Sequence, residues 1–231
     1  MPIHTQWIDV PVADGTTMRA YFARPEPSMA PGLILFQEIF GVNDHIRDLA
    51  QRLAHEGFAV LAPELFHRTA PGFDTPYGDY TPGRAEAAKM TLEGMDADFR
   101  ASYNALKAQG APTVGCVGFC MGGRMAFLAH GALPLACAAS FYGGRMVENL
   151  ERIPAFTGPH LFIWGGRDTI IPREHREQVL AAMRSAAKPH IEVDFAEADH
   201  GFFCDQRPTY HAPSAAVAWP LLLAFLRENL G

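Results

Sequence analysis

The segment Val114-Gly115-Cys116-Val117-Gly118-Phe119-Cys120-Met121-Gly122-Gly123 constrains the fold more than any other part of the chain. An apolar run of strand type passes directly into Gly-x-Cys-x-Gly-Gly, and Met121 to His130 then reads as a helix. A strand that becomes a helix within a few residues needs glycines, which carry no Cβ to clash in the turn. Such a turn lifts one side chain, Cys120, above the strand end. It also sets the next backbone N–H at a helix N-terminus, where N–H groups lack intrahelical partners.

The rest of the chain supplies the sheet and helices this turn presupposes. Trp7 to Val12 and Met18 to Ala23 flank the turn signal Ala13-Asp14-Gly15 and predict an antiparallel hairpin. Gly32 to Gln37 is nearly all apolar, the pattern of a strand buried on both faces. Ile46, Leu49, Ala50 and Leu53 have helical spacing, which predicts a helix from Asn43 to Glu56, capped by Asn43 or Asp44 and stopped by Gly57. Phe58 to Ala62 predicts the next strand. Residues His67 to Gly83 are rich in Pro, Gly and Asp, which predicts a long loop over a site. One helix is expected from Arg84 to Gln109. The remaining elements are strands at Thr113 to Gly118, Leu135 to Tyr142, His160 to Trp164 and Ile191 to Ala196. Helices are expected at Arg173 to Ala187 and Pro213 to Leu230. Alternating strands and helices imply an α/β protein, a mainly parallel sheet with helices on both faces. A single domain over residues 1–231 is expected.

Composition narrows the function. Of 231 residues, 48% are hydrophobic and 19% charged, enough for a large core. No apolar run approaches the roughly 18–20 residues that span a bilayer, and the start Met1-Pro2-Ile3-His4-Thr5 lacks the charged and apolar regions of a signal peptide. Net charge is −6, with no Lys/Arg cluster interleaved with aromatics, which argues against nucleic acid as a partner. Four cysteines without a signal peptide suggest reduced thiols in the cytoplasm. Cys116 and Cys120 have no second pair to complete a metal site, and Cys116 and Cys137 read as packing. Nothing in the sequence sets the oligomeric state.

In parallel sheets, ligands bind beyond the C-terminal ends of the strands. Cys120 follows one strand, Asp168 follows another in Gly165-Gly166-Arg167-Asp168, and His200 follows a third in Asp199-His200-Gly201. The order nucleophile, acid, histidine matches the α/β-hydrolase fold, with Cys in place of Ser in the G-x-S-x-G elbow. A thiolate is the competent nucleophile, imidazole can take and return its proton, and a carboxylate on the far ring nitrogen fixes the tautomer. Asp199 is the competing acid, but its adjacency to His200 suits a loop role better. Gln37-Glu38-Ile39-Phe40-Gly41-Val42-Asn43 follows the third strand. A buried Glu there needs a partner. Glu38 is the candidate controller of Cys120 protonation, and the backbone N–H groups of Ile39 and Met121 are the candidate oxyanion donors.

With these positions placed, the chain resembles the dienelactone hydrolase (carboxymethylenebutenolidase) family. The segments Gln37 to Asn43, Gly118 to Gly123, Gly165 to Asp168 and Asp199 to Phe202 are similar to that family's signatures, in order and over nearly the whole chain. The resemblance implies an eight-stranded hydrolase sheet, no metal and no organic cofactor. It implies a Cys120–His200–Asp168 triad, with Glu38 holding the resting thiol and taking its proton as substrate enters. It implies a small-molecule lactone or ester as substrate, the type reaction opening an enol-lactone. One departure stands out. Family members place a carboxylate-binding Arg a few residues beyond the histidine, where this chain has Cys204 and only later Arg207, the nearest candidate for that role. Arg84 is the candidate for the other substrate arginine, ahead of Arg68. Tyr142 and Phe40 are candidate pocket residues, and Trp164 reads as core. The alternatives are a general carboxylesterase or thioesterase on the same residues, or a non-catalytic ligand-binding or redox-sensing protein using Cys120.

Overall fold

The computed structural model describes residues 2–26 and 29–231; Met1, where the leader reading begins, lies outside them. The chain forms an eight-stranded, mainly parallel sheet, as expected. It divides into two compact units, residues 1–115 and 116–231, and the division falls inside one strand, Val114–Phe119.

In the first unit, β1 (Ile3–Pro11) and β2 (Thr17–Pro25) form the predicted hairpin. Its turn closes through the Val12 N–H to the Thr16 carbonyl at 2.9 Å, and Asp14 Oδ1 accepts from the Thr16 N–H at 3.0 Å. β3 (Gly32–Phe36) and β4 (Ala59–Pro63) are buried at every residue and pair in parallel, while β2 pairs with β4 antiparallel. The order within the unit is β1-β2-β4-β3. Helix α1 (Asp44–His55) starts where the sequence put it, with Asn43 Oδ1 accepting from the Ile46 N–H at 3.2 Å. Its stripe of Ile46, Leu49, Ala50 and Leu53 is buried, and the helix packs on β2 and β4.

The single helix expected over Arg84 to Gln109 is two. α2 (Thr81–Ala87) begins inside the stretch read as loop, and α3 (Leu92–Ala108) restarts after a break. The cause is Thr91, whose backbone is extended and whose hydroxyl accepts from the Gly94 N–H at 3.1 Å. A side chain that caps a helix start competes with helix continuation.

The second unit holds β5 (Val114–Phe119), β6 (Ala138–Phe141), β7 (His160–Gly165) and β8 (His190–Phe195), adjacent in that order and all parallel. β5, β6 and β7 are wholly buried, whereas β8 at the edge leaves Glu192 and Asp194 exposed. Charges on an edge strand discourage pairing with another chain. α4 (Met121–Ala132) packs on β6, and α5 (Arg173–Ser185) packs on a kinked 3₁₀ segment, Met146–Ala155, that periodicity did not signal. α6 (Ala212–Leu230) closes the chain. No helix among the described residues is long and apolar enough to cross a membrane.

Candidate active site

The elbow after β5 is as tight as its glycines predict. A Cβ at Gly118 would overlap the Gly122 carbonyl, and one at Gly123 would lie 2.6 Å from the Phe141 carbonyl oxygen. Cys120 itself takes φ 55° and ψ −117°, a conformation that costs a non-glycine residue on the order of 1–3 kcal/mol. The surroundings hold it there. The Cys120 N–H donates to the Phe141 carbonyl at 3.0 Å, and the Gly123 N–H returns to the Cys120 carbonyl at 3.0 Å. Cys120 is a free thiol and half-buried, unlike the three other cysteines, which are buried.

Three of the sequence candidates meet in the second unit. His200 Nε2 lies 3.1 Å from Cys120 Sγ, and His200 Nδ1–H donates to Asp168 Oδ2 at 2.8 Å. Asp168 is fixed in turn, because its Oδ1 accepts from the Ile170 N–H at 2.8 Å and the Ile171 N–H at 3.1 Å. One carboxylate oxygen is thus committed to the loop and the other to the ring. That arrangement orients the imidazole, with Nδ1–H toward Asp168 and Nε2 toward sulfur. Asp199 plays the loop role expected of it: its Oδ1 accepts from the His200 backbone N–H at 2.6 Å.

The His200 ring is deeply buried, and burial alone disfavours its charged form. The negative charge at Cys120 and Asp168 and the hydrogen bonds to both outweigh that cost and raise its pKa to about 10. The site therefore favours the protonated ring of His200. Tyr142 packs its ring 5.1 Å from the His200 ring and is fully buried, so it forms a wall behind the imidazole. Its own φ of 37° is a second strained position at the end of β6.

Other candidates lie in the first unit. Glu38 is fully buried, and the Tyr77 hydroxyl donates to its Oε2 at 2.8 Å, supplying the partner a buried carboxylate requires. Phe40 is fully buried and contacts Tyr77 at 4.7 Å and Tyr80 at 5.1 Å between ring centroids. The Arg84 guanidinium lies over the Tyr80 ring at 5.5 Å. Ile39 is pressed against Gly83, where a Cβ would overlap the Ile39 carbonyl. Tyr77 and Tyr80 escaped the sequence reading. The signal was available: in residues 74–83 two aromatics stand among Pro, Gly, Asp and Thr alone.

The arginines need one correction. Arg68 is not available to a substrate. It grips Asp98 with two hydrogen bonds of 2.8 Å and donates to Asp14 at 2.8 Å. Arg207, named from the sequence with Arg84 as a candidate substrate ligand, is 5% exposed. Its guanidinium lies against Gly201, directly after His200, so closely that a Cβ there would overlap it.

A family model described as "Dienelactone hydrolase family" matches residues 18–230. The chain belongs to the dienelactone hydrolase family. It is a hydrolase of the carboxylic-ester class. Carboxymethylenebutenolidase of Pseudomonas putida is 31% identical over 96% of each chain. A protein of Synechocystis sp. that provisionally bears the same name is 35% identical over 91% of each. A crystal structure from Klebsiella pneumoniae, provisionally named a dienelactone hydrolase, superposes with a TM-score of 0.88. It is 33% identical and covers 97% of this chain and 98% of its own. The family's α/β-hydrolase fold agrees with the strand-end placement of Cys120, Asp168 and His200 described above.

Proposed function

We propose that this dienelactone hydrolase family member opens small enol-lactones or activated esters by nucleophilic catalysis at Cys120. The observation that carries the reading is the contact series Cys120 Sγ, His200 Nε2, His200 Nδ1, Asp168 Oδ2, with separations of 3.1 and 2.8 Å. In the proposed reaction Glu38 takes the Cys120 thiol proton as substrate enters, and the sulfur, beside a protonated His200, attacks the acyl carbon. The carbonyl oxygen becomes an oxyanion, taken by the backbone N–H groups of Met121 and Ile39. As the tetrahedral species collapses, the C–O bond to the leaving group breaks and His200 gives that oxygen its proton. Water then attacks the thioester and gives His200 a proton, and the thiolate leaves, the acid is released and Glu38 returns the thiol proton to the sulfur.

A thiolate is itself a good leaving group, so the tetrahedral species goes forward only when the other group leaves as readily, and enolates and thiols should be expelled far better than amines or simple alkoxides. Glu38 is the proposed acceptor of the thiol proton, supported by its full burial and by the Tyr77 hydroxyl that donates to it. Arg207 and Arg84 are the proposed ligands of a substrate carboxylate, and burial beside the His200 turn favours Arg207. Phe40 and Tyr142 are proposed to bound the substrate site. The four cysteines are free, which suits a reducing cytoplasm. We further propose that residues 1–231 act as one α/β-hydrolase domain, since the unit boundary cuts a strand.

The test is turnover of cis- and trans-dienelactone beside p-nitrophenyl esters and acyl thioesters. Cys120→Ala should abolish turnover of all of them with an unchanged circular dichroism spectrum, and Cys120→Ser should retain little. Undiminished hydrolysis by the alanine variant would refute the mechanism. Faster turnover of the neutral esters or thioesters than of the lactones would move the substrate class to a general esterase or thioesterase.

A further inference from the structure

Behind the elbow, the second unit buries two histidines and a serine that the proposed chemistry does not use. His130 lies on α4, Ser140 on β6 and His160 on β7, each 0% exposed. The Gly158 N–H faces His130 Nε2 at 3.4 Å, His130 Nδ1 lies 3.1 Å from His160 Nδ1, and His160 Nε2 lies 2.9 Å from Ser140 Oγ. The Ser140 hydroxyl donates to the Gly123 carbonyl at 2.7 Å.

The direction of this chain is fixed by its first member. A backbone N–H can only donate, so His130 Nε2 accepts and a neutral His130 carries its proton on Nδ1. That N–H donates to His160 Nδ1, leaving the His160 proton on Nε2. From there it donates to Ser140 Oγ, whose own proton is directed at Gly123. Protonating either ring would set two N–H groups against each other. Burial, with the Lys188 ammonium adding to it, lowers the His130 pKa to about 3. Burial, with His130 and His190 adding to it, holds His160 well below its ordinary value. Phe156 stacks on His130 at 4.1 Å and Phe162 on His160 at 4.2 Å, sheathing the pair in apolar rings.

The chain ends on the elbow. Gly123 sits in the first turn of α4, two residues after Met121, and its N–H is bonded to the Cys120 carbonyl. We propose that Ser140, oriented by His160 and His130, is a positioning residue that sets the direction of the Met121 N–H by tethering the Gly123 carbonyl to β6. The proposal rests on Cys120 being the nucleophile. The tether acts on the oxyanion donor and leaves the contact between Cys120 and His200 untouched. It therefore separates two measurements. Ester turnover needs the oxyanion donor, whereas alkylation of Cys120 by iodoacetamide needs only the thiol and its histidine.

The experiment compares Ser140→Ala, His160→Leu and His160→Gln with the wild type on p-nitrophenyl acetate. Removing a whole oxyanion donor costs about 10²–10³ in kcat, so misdirecting one should cost about tenfold. Ser140→Ala and His160→Leu should show that fall in kcat with KM and the iodoacetamide rate unchanged within about twofold. His160→Gln, which keeps an N–H for Ser140, should recover most of the activity. Imidazole ¹⁵N spectra of the wild type should show His130 protonated on Nδ1 and His160 on Nε2, a reading that does not depend on how the variants fold. Unchanged kcat in Ser140→Ala and His160→Leu, with Cys120→Ala inactive, would overturn this proposal alone. So would the opposite tautomers, or an equal loss of turnover and alkylation. Turnover by Cys120→Ala would overturn the reading on which it rests.

Discussion

Asp168 divides its two oxygens between two tasks, and that division makes a substitution informative. Asp168→Asn preserves the shape but offers an N–H where His200 Nδ1 also presents one, so the ring turns its wrong tautomer toward Cys120. In a serine protease triad, the corresponding change costs about 10⁴ in kcat. A fall of about 10³–10⁴ with little change in KM is expected here by steady-state kinetics. The charge on His200 supplies a second residue-scale prediction. Its pKa of about 10 depends first on overcoming burial and then on the negative sulfur beside it. In Cys120→Ala that charge is gone, and the ring, followed by NMR, should lose its proton at distinctly lower pH. An unchanged titration would show that Asp168 alone sustains the imidazolium.

At the scale of elements, one junction decides whether the site exists and a second decides only where a helix begins. The elbow joins β5 to α4 through contacts that leave no room at Gly118, where any Cβ meets the Gly122 carbonyl. Gly118→Ala should therefore displace the first turn of α4 and remove activity even where the protein remains folded, measured by kcat against the far-ultraviolet spectrum. The break between α2 and α3 rests on a single cap. Thr91→Ala should cost about 1 kcal/mol in a denaturant titration, with turnover little affected. The sequence resolved the first junction and missed the second. Gly-x-Cys-x-Gly-Gly is a dense local signal. Thr91 stands in a stretch whose apolar spacing is compatible with one uninterrupted helix, and the Gly94 N–H donating to its hydroxyl shows where α3 begins.

For the molecule as a whole, two buried histidines of opposite shift bound the stability in pH. His130 has its pKa lowered from 6.5 to about 3. The unfolded chain binds a proton there that the folded one refuses, so this contribution is present above pH 6.5 and is lost as pH falls toward 3. His200 is raised to about 10. Its contribution is present below pH 6.5 and is lost as pH rises through 10. Thermal melting against pH should therefore give a maximum near neutrality. His130→Phe should flatten the acid side and Cys120→Ala the alkaline side.

The residues proposed to do the chemistry were legible in the chain because the fold places them by rule. Cys120, Asp168 and His200 each follow a strand, and strand ends converge in a parallel sheet. The apolar runs at β3, β4, β5, β6 and β7 announced a doubly covered sheet for the same reason: burial on both faces leaves no polar alternation. What depended on distant partners was not legible. Tyr77 on Glu38, Arg207 under Gly201, Arg68 spent on Asp98, and the directed chain from Gly158 to Gly123 join residues far apart in sequence. Hydrogen-bond direction and burial belong to pairs of groups, and only the tertiary structure decides which pairs meet.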